Sequence, residues 1–253
     1  MSCWFFLPPE EIHSKENIVL KADNLMHLKA LRLAKGDLIV LADGKGRAFY
    51  ARLDFLASDR AEASILYELE KNVEPPLEVT LALGVSKGEK MDLVIRHSVE
   101  LGVKKIVPVL TGRTVVRVTA EKVKGKNRRW QNIALSAASQ CRRSFIPEVL
   151  APLSFTEALE IMARNDLVIV PWEEEKEQGL RHLAEITKRP QEVCIFTGPE
   201  GGISFEEMEK LKELPEVYPV TLGPRILRAE TAPLAVLAIV MYLWGDLAGV
   251  NRP

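Results

Sequence analysis

The chain has 253 residues, of which 47% are hydrophobic and 27% are charged. This balance is typical of a water-soluble globular protein, and the length is enough to bury a sizeable core in one large domain or two smaller ones. The net charge of −1 excludes a protein that is coated uniformly with positive charge.

The cysteine and histidine residues exclude two common kinds of stabilising site. Cys3, Cys141 and Cys194 are odd in number and far apart, which fits neither a disulfide framework nor a zinc site. The four histidines lack the spacing of metal ligands, so we expect no metal site. The N-terminal segment MSCWFFLPPEE lacks the basic and long apolar regions of a signal peptide. These features favour the reducing cytoplasm.

Residues 1–72 are predicted to form a small β-rich domain. ADNLMHLKALRLAKGD predicts a short helix that begins at Asp23 or Asn24 and ends near Gly36. DLIVLADGKGRAFYARLDFL predicts two strands joined by a tight turn at DGKG, and RAEASILYEL predicts a further strand. Several strands with one short helix are typical of a small β-barrel. The charged, proline-containing segment KNVEPPLEV marks the boundary with the next domain.

Residues 73–253 are predicted to form an α/β domain with a mostly parallel sheet, because apolar strand segments alternate with helix-like segments. The predicted strands are 78–83, 105–110, 167–171, 193–197 and 217–222. The predicted helices are 88–101, 120–141, 154–164, 177–188, 204–213 and 231–247. The apolar run 234–244 is too short to span a bilayer and indicates a buried helix. A ligand is expected beyond the carboxyl ends of the strands.

Positive charge is concentrated between residues 87 and 143. This segment contains fourteen Lys or Arg residues and four Asp or Glu residues, a net charge of +10. A local cationic field of this size suits a phosphate backbone. In EKVKGKNRRW, Trp130 places an aromatic ring beside the basic cluster, which favours nucleic-acid binding. The alternative is a solvated, lysine-rich helix surface, with Trp130 on the buried face of that helix.

TGPEGGISFEEME, residues 197–209, combines a strand end, three glycines and the start of a helix. The glycines permit positive φ and close approach of a ligand, and Ser204 and Glu207 have the spacing of a capping box. The loop is neither a dinucleotide fingerprint nor a P-loop, because the glycine spacing is wrong and no Gly-Lys-Ser/Thr follows. It predicts a ligand without a triphosphate or, alternatively, a turn that holds no ligand.

A polar cluster precedes the last helix, in TLGPRILRAETAPLAVLAIVMYLW. Arg225, Arg228 and Glu230 follow a predicted strand end, Thr231 is a candidate N-cap, and Pro233 fits the first helical turn. Two arginines and a glutamate at the carboxyl end of a strand indicate a site. The alternative is a structural ion pair between Arg228 and Glu230 that caps the helix.

TGPEGGIS followed by LGPRILRAETA at this separation resembles the RsmE family of ribosomal RNA uridine-N3 methyltransferases, in the SPOUT superfamily. The similarity extends over nearly the whole chain, since HLKALRLAKGD with DGKG resembles the N-terminal module and GVSKGEKMDLVIRHSVELGVKKIVPV resembles the start of the catalytic domain. The resemblance implies a PUA-like β-barrel followed by an α/β domain whose C-terminal part is threaded as a trefoil knot. It also implies S-adenosylmethionine as the cofactor, a homodimer, and N3 of a uridine in 16S ribosomal RNA of the assembled small subunit as the target.

The resemblance assigns roles to individual residues. Glu230 is expected to accept the N3 proton and Arg228 to stabilise negative charge on the adjacent carbonyl oxygens, while Glu200 is expected to order the glycine loop. The expected cofactor-binding residues are Val170, Pro171, Trp172, Thr197, Gly198, Pro199, Glu200, Gly201, Gly202, Leu222, Gly223, Ile226, Leu227, Arg228, Ala229 and Thr231. The expected RNA-binding residues are Arg32, Lys87, Arg96, Arg113, Arg128, Arg129, Gln140 and Arg143.

Three other functions are left open by the sequence. One is a SPOUT enzyme with another target, such as a ribose 2′-hydroxyl or a tRNA base. Another is a non-catalytic RNA-binding or ribosome-assembly protein. The third, a nucleotide-dependent oxidoreductase or NTPase, lacks the glycine fingerprints that such enzymes carry.

Overall fold

The computed structural model describes residues 3–12, 17–70, 73–114 and 120–249, with the backbone alone described at Ala22 and at residues 120–124. The chain divides into two compact units. Unit 1 comprises the described residues of Met1–Glu74 together with Ala138–Ile146, and unit 2 comprises those of Pro75–Ala137 and Pro147–Pro253.

Unit 1 is built on a five-stranded sheet. Its described elements are β1 (Cys3–Phe6), α1 (Pro9–Ile12), β2 (Asn17–Leu20), α2 (Ala22–Ala30), β3 (Leu38–Ala42), β4 (Ala48–Leu56) and β5 (Ala61–Glu68). The strand order is β1-β3-β4-β5-β2, in which β1 and β3 are parallel and the other pairs are antiparallel. Phe5, Leu41, Phe49 and Leu53 belong to the buried core of this unit.

The predicted hairpin is confirmed by the antiparallel pairing of β3 with β4, in which Ala42 lies opposite Ala48. The turn between these strands is stabilised by Asp43, whose Oδ1 accepts hydrogen bonds from the backbone N–H of Lys45 at 2.7 Å and of Arg47 at 3.0 Å. A short polar side chain that bonds its own backbone favours a tight turn, which explains why DGKG was recognisable in the sequence.

The helix predicted in unit 1 is present as α2, but its two ends differ from the predicted ones. It begins at Ala22 after Lys21, one residue before Asp23, and it ends at Ala30, well before Gly36. Arg32 has φ 56°, in the left-handed region, so the backbone leaves the helical conformation there without a glycine. The four-residue strands β1 and β2 were not predicted, because segments this short carry little alternation.

Residues Ala138–Ile146 pack with unit 1 although they follow unit 2 residues in the chain. The Ser139 hydroxyl donates a hydrogen bond to the Trp4 carbonyl oxygen at 2.8 Å, and the Ser144 hydroxyl donates to the Gly46 carbonyl oxygen at 2.9 Å. Phe145 forms isolated β-bridges in the turn of the hairpin. The segment is therefore held to unit 1 by side-chain and backbone bonds.

Unit 2 is an α/β fold. Its described elements are β6 (Glu78–Gly84), α3 (Lys90–Glu100), β7 (Lys105–Leu110), α4 (Ala120–Cys141, whose last four residues belong to unit 1), β8 (Glu148–Val149), β9 (Leu153–Ser154), α5 (Phe155–Met162), β10 (Leu167–Pro171), α6 (Leu180–Ile186), β11 (Glu192–Thr197), α7 (Phe205–Lys212), β12 (Val217–Val220) and α8 (Ala232–Leu243). The sheet has the order β12-β10-β11-β6-β7-β8, with β9 also paired to β7, and every pair is parallel.

The predicted parallel α/β architecture of this region is confirmed, and each predicted strand and helix is present with small differences at its ends. The two-residue strands β8 and β9 were not predicted. β10 and β11 are buried almost along their whole length, as expected for central strands that are covered on both faces. No helix in the described ranges is both long enough and apolar enough to cross a membrane.

Helices cover both faces of this sheet. On one face, α5 and α7 pack against Val168, Val170, Cys194 and Phe196. On the other, α8 contacts β11, and α3 and α6 contact α8. Because β10, β11 and β12 are parallel neighbours, their carboxyl ends lie at one edge of the sheet, and the three loops that follow them converge there.

Candidate functional site

A pocket of about 940 Å³ lies where the loops after β10, β11 and β12 converge. Its lining residues are Lys90, Pro171, Trp172, Glu173, Lys176, Thr197, Gly198, Pro199, Glu200, Gly202, Ile203, Thr221, Leu222, Gly223, Pro224, Arg225, Ile226, Leu227, Arg228, Ala229 and Ala232. The pocket is thus built by both sequence motifs that indicated a site.

Most of the predicted cofactor-binding residues line this pocket, and three do not. Val170 points into the core and is fully buried, because alternate residues of a strand face opposite sides of the sheet. Gly201 contributes its carbonyl oxygen to a contact with Arg113 instead. Thr231 occupies the N-cap position of α8 as predicted, but its side chain makes no capping hydrogen bond.

The glycine loop is closely packed along its backbone. A Cβ atom on Gly198 would lie 2.7 Å from the carbonyl carbon of Gly202, and Gly202 itself has φ 73°. The Gly202 N–H donates to the Pro199 carbonyl oxygen at 2.9 Å and closes the turn. The predicted capping box is confirmed, since Ser204 Oγ accepts from the Glu207 N–H at 3.1 Å and Glu207 Oε2 accepts from the Ser204 N–H at 3.0 Å. The loop therefore presents a closely packed, hydrogen-bonded backbone to the pocket.

Lys90 is the main pocket residue that sequence reasoning did not assign to it. The Lys90 ammonium lies 3.1 Å from Glu200 Oε1 and 3.6 Å from Glu230 Oε2. The hydrogen bond to Glu200, with electrostatic attraction to both carboxylates, raises the pKa of Lys90. The sequence signal that could have indicated Lys90 is its position in the SKGEK segment, shortly after the carboxyl end of β6.

Glu200 of the glycine loop contacts the segment before α3 and the first residue of that helix. Its Oε1 accepts a hydrogen bond from the backbone N–H of Lys87 at 3.1 Å, in addition to the Lys90 contact. Burial by itself would raise the pKa of Glu200, but hydrogen bonds from its own backbone N–H, from Lys90 and from Lys87 lower it overall. The carboxylate is therefore ionised and ties the glycine loop to the segment before α3.

The two predicted catalytic residues occupy different positions. Arg228 lines the pocket with an exposed side chain, whereas Glu230 lies beside the pocket lining. Glu230 Oε2 is buried and accepts no hydrogen bond from the part of the chain that the structure describes. Among these residues, the ion-pair partner of Glu230 is Lys90, so the alternative of a capping ion pair between Arg228 and Glu230 is not found.

The predicted RNA-binding residues differ in exposure. Those with exposed side chains are Arg32, Lys87, Arg96, Arg113, Arg128, Arg129 and Gln140. Arg113 donates to the Gly201 carbonyl oxygen at 2.7 Å, beside the glycine loop, and the Arg129 guanidinium contacts the Asp92 carboxylate. Arg117 and the side chains of Lys122 and Lys124, which were counted in the basic segment, lie outside the described residues.

Arg143 is not at the surface. Its side chain is 5% exposed, and its guanidinium donates to Glu74 Oε2 through Nε at 2.9 Å and through Nη2 at 2.6 Å. Because these donors are already used within unit 1, direct RNA contact by Arg143 does not fit the structure. Trp130 is likewise buried, with the Lys126 ammonium 5.9 Å from its ring centroid, which agrees with the alternative interpretation of this residue as part of a buried helix face.

Comparison with known proteins places this site in a family. Residues 73–241 match the family described as RNA methyltransferase domain. Ribosomal RNA small subunit methyltransferase E of Bacillus subtilis is 31% identical over 93% of this chain and 94% of its own length, and that of Synechocystis is 35% identical over 93% and 76%. The crystal structure of this methyltransferase from Neisseria gonorrhoeae, bound to S-adenosylmethionine, is 38% identical over 97% of this chain and 99% of its own, with a TM-score of 0.87. The chain therefore belongs to the ribosomal RNA small subunit methyltransferase E family.

Proposed function

We propose that this chain transfers the methyl group of S-adenosylmethionine to N3 of a specific uridine in 16S ribosomal RNA of the small subunit. The observation that carries the proposal is the pocket that the glycine loop and the Arg228 segment form together at three strand ends. The similar protein from Neisseria gonorrhoeae was solved with S-adenosylmethionine bound, and the similar curated proteins carry the name of a small-subunit ribosomal RNA methyltransferase.

The pocket residues fit S-adenosylmethionine. Leu222, Ile226 and Leu227 offer apolar surface for an adenine ring, and the carboxylates of Glu173 and Glu200 suit a ligand that carries a sulfonium and an ammonium. The glycine backbone permits close approach of the cofactor, and the glycine loop itself carries no lysine of the kind that a P-loop uses to bind a triphosphate. When bound, the cofactor supplies an electrophilic methyl carbon, whose bond to sulfur breaks, with the electron pair remaining on sulfur, as the bond to N3 forms.

Arg228 and Glu230 supply the remaining chemistry in this proposal. N3 of uracil carries a weakly acidic proton, which the Glu230 carboxylate accepts. Arg228 lines the pocket and has no ion-pair partner among the described residues, so its guanidinium is free to donate to a carbonyl oxygen of the base. The target base is unstacked or single-stranded when it enters the pocket.

We also propose that the C-terminal part of unit 2 is threaded as a trefoil knot. β12 lies on the far side of β10 from β11, whereas the following helix α8 packs against β11. The segment between β12 and α8 therefore crosses the carboxyl end of β10. Thr221, just after β12, forms a parallel β-bridge with Gly179 of the loop after β10. This contact between the two loops supports the proposed threading.

We propose that residues 1–72 form a PUA-like β-barrel domain that binds RNA and that residues 73–253 form the methyltransferase domain, from which Ala138–Ile146 pack with residues 1–72 in unit 1. The mostly antiparallel five-stranded sheet of unit 1 supports this assignment. Arg32 and Gln140 are exposed residues of this unit that are available to the RNA backbone. We place the reaction in the cytoplasm, on assembled 30S subunits, because the proposed substrate is ribosomal RNA.

We propose that two copies of the chain associate through α8 and the loop before it. α8 is almost entirely apolar, yet Ile239 and Tyr242 are exposed on the face opposite its buried Leu237 and Val240. Ile226, in the pocket loop, is 87% exposed. Burial of these side chains against a second copy would remove apolar surface from water. Sedimentation of the purified protein tests this, since a monomer at micromolar concentration contradicts it.

The experiment that tests the proposed reaction is methyl transfer from labelled S-adenosylmethionine to small ribosomal subunits and to naked 16S ribosomal RNA, followed by mapping of the modified nucleoside. We expect N3-methyluridine at one position. A ribose-methylated product would instead favour another SPOUT activity, and no transfer to either substrate would favour a non-catalytic role. Calorimetry that detects ATP or NAD binding but no S-adenosylmethionine binding would also contradict the proposal.

Single variants test the proposed roles. Arg228→Ala and Glu230→Gln are each expected to lower the methyl-transfer rate much more than they weaken cofactor binding. If both variants retain a turnover close to that of the wild type, Arg228 and Glu230 do not have these roles. Calorimetry on the same preparations separates lost cofactor binding from lost chemistry.

A further inference from the structure

The Lys90 side chain joins the two motifs of the pocket. Lys90 is the first residue of α3, and its ammonium lies between Glu200 of the glycine loop and Glu230 of the segment before α8. Unlike Glu230, Lys90 belongs to the pocket lining, and its side chain is 36% exposed. The ammonium is therefore a cation at the pocket wall, backed by two carboxylates.

An ammonium group has three N–H donors. The two carboxylates occupy at most two of them, and the distance of 3.6 Å to Glu230 is longer than a hydrogen bond. At least one donor is therefore available to a ligand in the pocket. Since the ammonium stays protonated between Glu200 and Glu230, it is a hydrogen-bond donor and not a base.

We propose that Lys90 contacts one of the two carbonyl oxygens that flank N3 of the target uracil and stabilises the negative charge that develops there as N3 loses its proton. The inference rests on the proposed function and adds to it a substrate-contacting residue. Uracil presents an acceptor, a donor and an acceptor along C4, N3 and C2, so Lys90 and Glu230 together match the carbonyl oxygen and the N3–H.

The charge balance of this cluster favours the deprotonated base. Before proton transfer, the positive charge of Lys90 is shared between Glu200 and Glu230. When Glu230 accepts the N3 proton it becomes neutral, so its attraction for Lys90 falls as negative charge appears on the uracil carbonyl oxygens. The interaction of Lys90 with the substrate is therefore stronger in the transition state than in the ground state, which is the condition for an increase in kcat.

Two other roles for Lys90 make different predictions. If Lys90 bound the carboxylate of the cofactor, or if it only ordered the glycine loop through Glu200, its loss would weaken S-adenosylmethionine binding. A role toward uracil leaves cofactor binding intact and lowers the rate of the chemical step. Cofactor affinity and single-turnover rate therefore separate the proposals.

The test compares Lys90→Met and Lys90→Arg with Lys104→Met in the full-length protein. Lys104 also pairs with a glutamate, Glu78 at 3.0 Å, but it lies at the opposite end of the strands, so it is a matched control. We expect Lys90→Met to lower the single-turnover rate by about 10²–10³-fold, Lys90→Arg to retain part of it, and Lys104→Met to match the wild type. Calorimetry is expected to give a Kd for S-adenosylmethionine within about threefold of the wild type for all three variants, a change of less than ~1 kcal/mol.

A substrate change identifies the contact. Small subunits are reconstituted with 2-thiouridine or 4-thiouridine at the mapped target, since sulfur is a weaker acceptor than oxygen. For one of the two substrates, the effect of the sulfur on the rate is expected to differ between the wild type and Lys90→Met, because the variant no longer makes the contact. Three results would each overturn the inference. The first is an equal effect of sulfur on the rates of both enzymes with both substrates. The others are a near-normal rate for Lys90→Met, or a loss of cofactor affinity that accounts for its loss of rate. Absence of transfer by the wild-type protein would instead refute the proposed function itself.

Discussion

Glu207 in α7 accepts a hydrogen bond through Oε1 from the backbone N–H of Gly112 at 2.8 Å, although the two residues are 95 positions apart. Its other oxygen caps the helix by accepting from the Ser204 N–H at 3.0 Å. The residue is only 7% exposed. One buried carboxylate therefore connects the loop after β7 to the end of the glycine loop, which follows β11.

Glu207→Ala is expected to lower the free energy of unfolding by about 2–3 kcal/mol, because the N–H groups of Gly112 and Ser204 both lose the carboxylate that accepts from them. Glu206→Ala, an exposed position in the same helical turn, is the control and is expected to change stability by less than about 0.5 kcal/mol. Urea denaturation followed by circular dichroism measures both. Equal stability of the two variants would show that the Gly112 contact contributes nothing.

Gly198→Ala is expected to weaken S-adenosylmethionine binding by more than about tenfold, or ~1.4 kcal/mol. The added methyl group would lie 2.7–2.9 Å from Gly202 and Ile203, so the loop backbone must shift. Gly125→Ala in α4 is the control, since its Cβ would meet nothing within 4 Å, and removal of a helical glycine is expected to stabilise by up to about 1 kcal/mol. Calorimetry on folded protein checks this, and unchanged affinity in Gly198→Ala would contradict the close packing of the loop.

Arg143→Met is expected to destabilise the protein by about 3–5 kcal/mol, because the largely buried carboxylate of Glu74 would lose its charged partner. The double variant Arg143→Met with Glu74→Met is expected to recover at least half of this loss, since neither charge is then left alone. Thermal denaturation of both single variants and the double variant measures the coupling. If Arg143→Met kept full stability and lost only RNA affinity, a direct RNA contact would be the better account.

Arg128→Glu is expected to weaken RNA binding and to reduce the slope of log K against log salt concentration by about one, as for the loss of one phosphate contact. Arg128 is exposed and has no ion-pair partner among the described residues. Arg129, which contacts Asp92, is expected to respond less, because part of its charge is already neutralised. Filter binding between 50 and 200 mM salt, roughly the range over which such effects are large, compares the two reversals. If Arg128→Glu and the wild type gave identical slopes of log K against log salt concentration, Arg128 would not contact the RNA backbone.

Asp166 couples stability to pH. Its Oδ2 accepts hydrogen bonds from the backbone N–H groups of Glu192 at 3.0 Å and Gln191 at 2.9 Å, and these bonds lower the pKa of its carboxyl. The ionised form therefore stabilises the fold at pH values above the ordinary aspartate value of about 3.9, and this contribution is lost as the pH falls through the lowered value.

Asp166→Asn is accordingly expected to be less stable than the wild type at pH 7, with a difference that shrinks below about pH 4. Asp59→Asn, at an exposed position, is the control and is expected to match the stability of the wild type at pH 7. Denaturant titrations across this range measure the difference. A gap between Asp166→Asn and the wild type that stayed constant with pH would exclude the ionised carboxylate as its cause.

The amino-acid sequence by itself determined the alternation of strands and helices in unit 2 and the two motifs of the pocket. These features depend on local sequence: hydrophobic periodicity and the positions of glycine, proline and capping residues. They can therefore be predicted without a structure, as the capping box at Ser204 and Glu207 illustrates. The family followed from the same motifs, because their residues and separation are specific as a pair.

Only the tertiary structure decided which side chains meet. In the sequence, Lys90 is one of fourteen basic residues of a cationic segment. Only the folded chain shows that its ammonium lies between Glu200 and Glu230. The resemblance placed Arg143 among the RNA-binding residues, yet its side chain is buried against Glu74, which lies 69 residues earlier. Contacts between residues so far apart depend on strand order and burial, which are properties of the folded chain as a whole and leave no periodic signal in the local sequence.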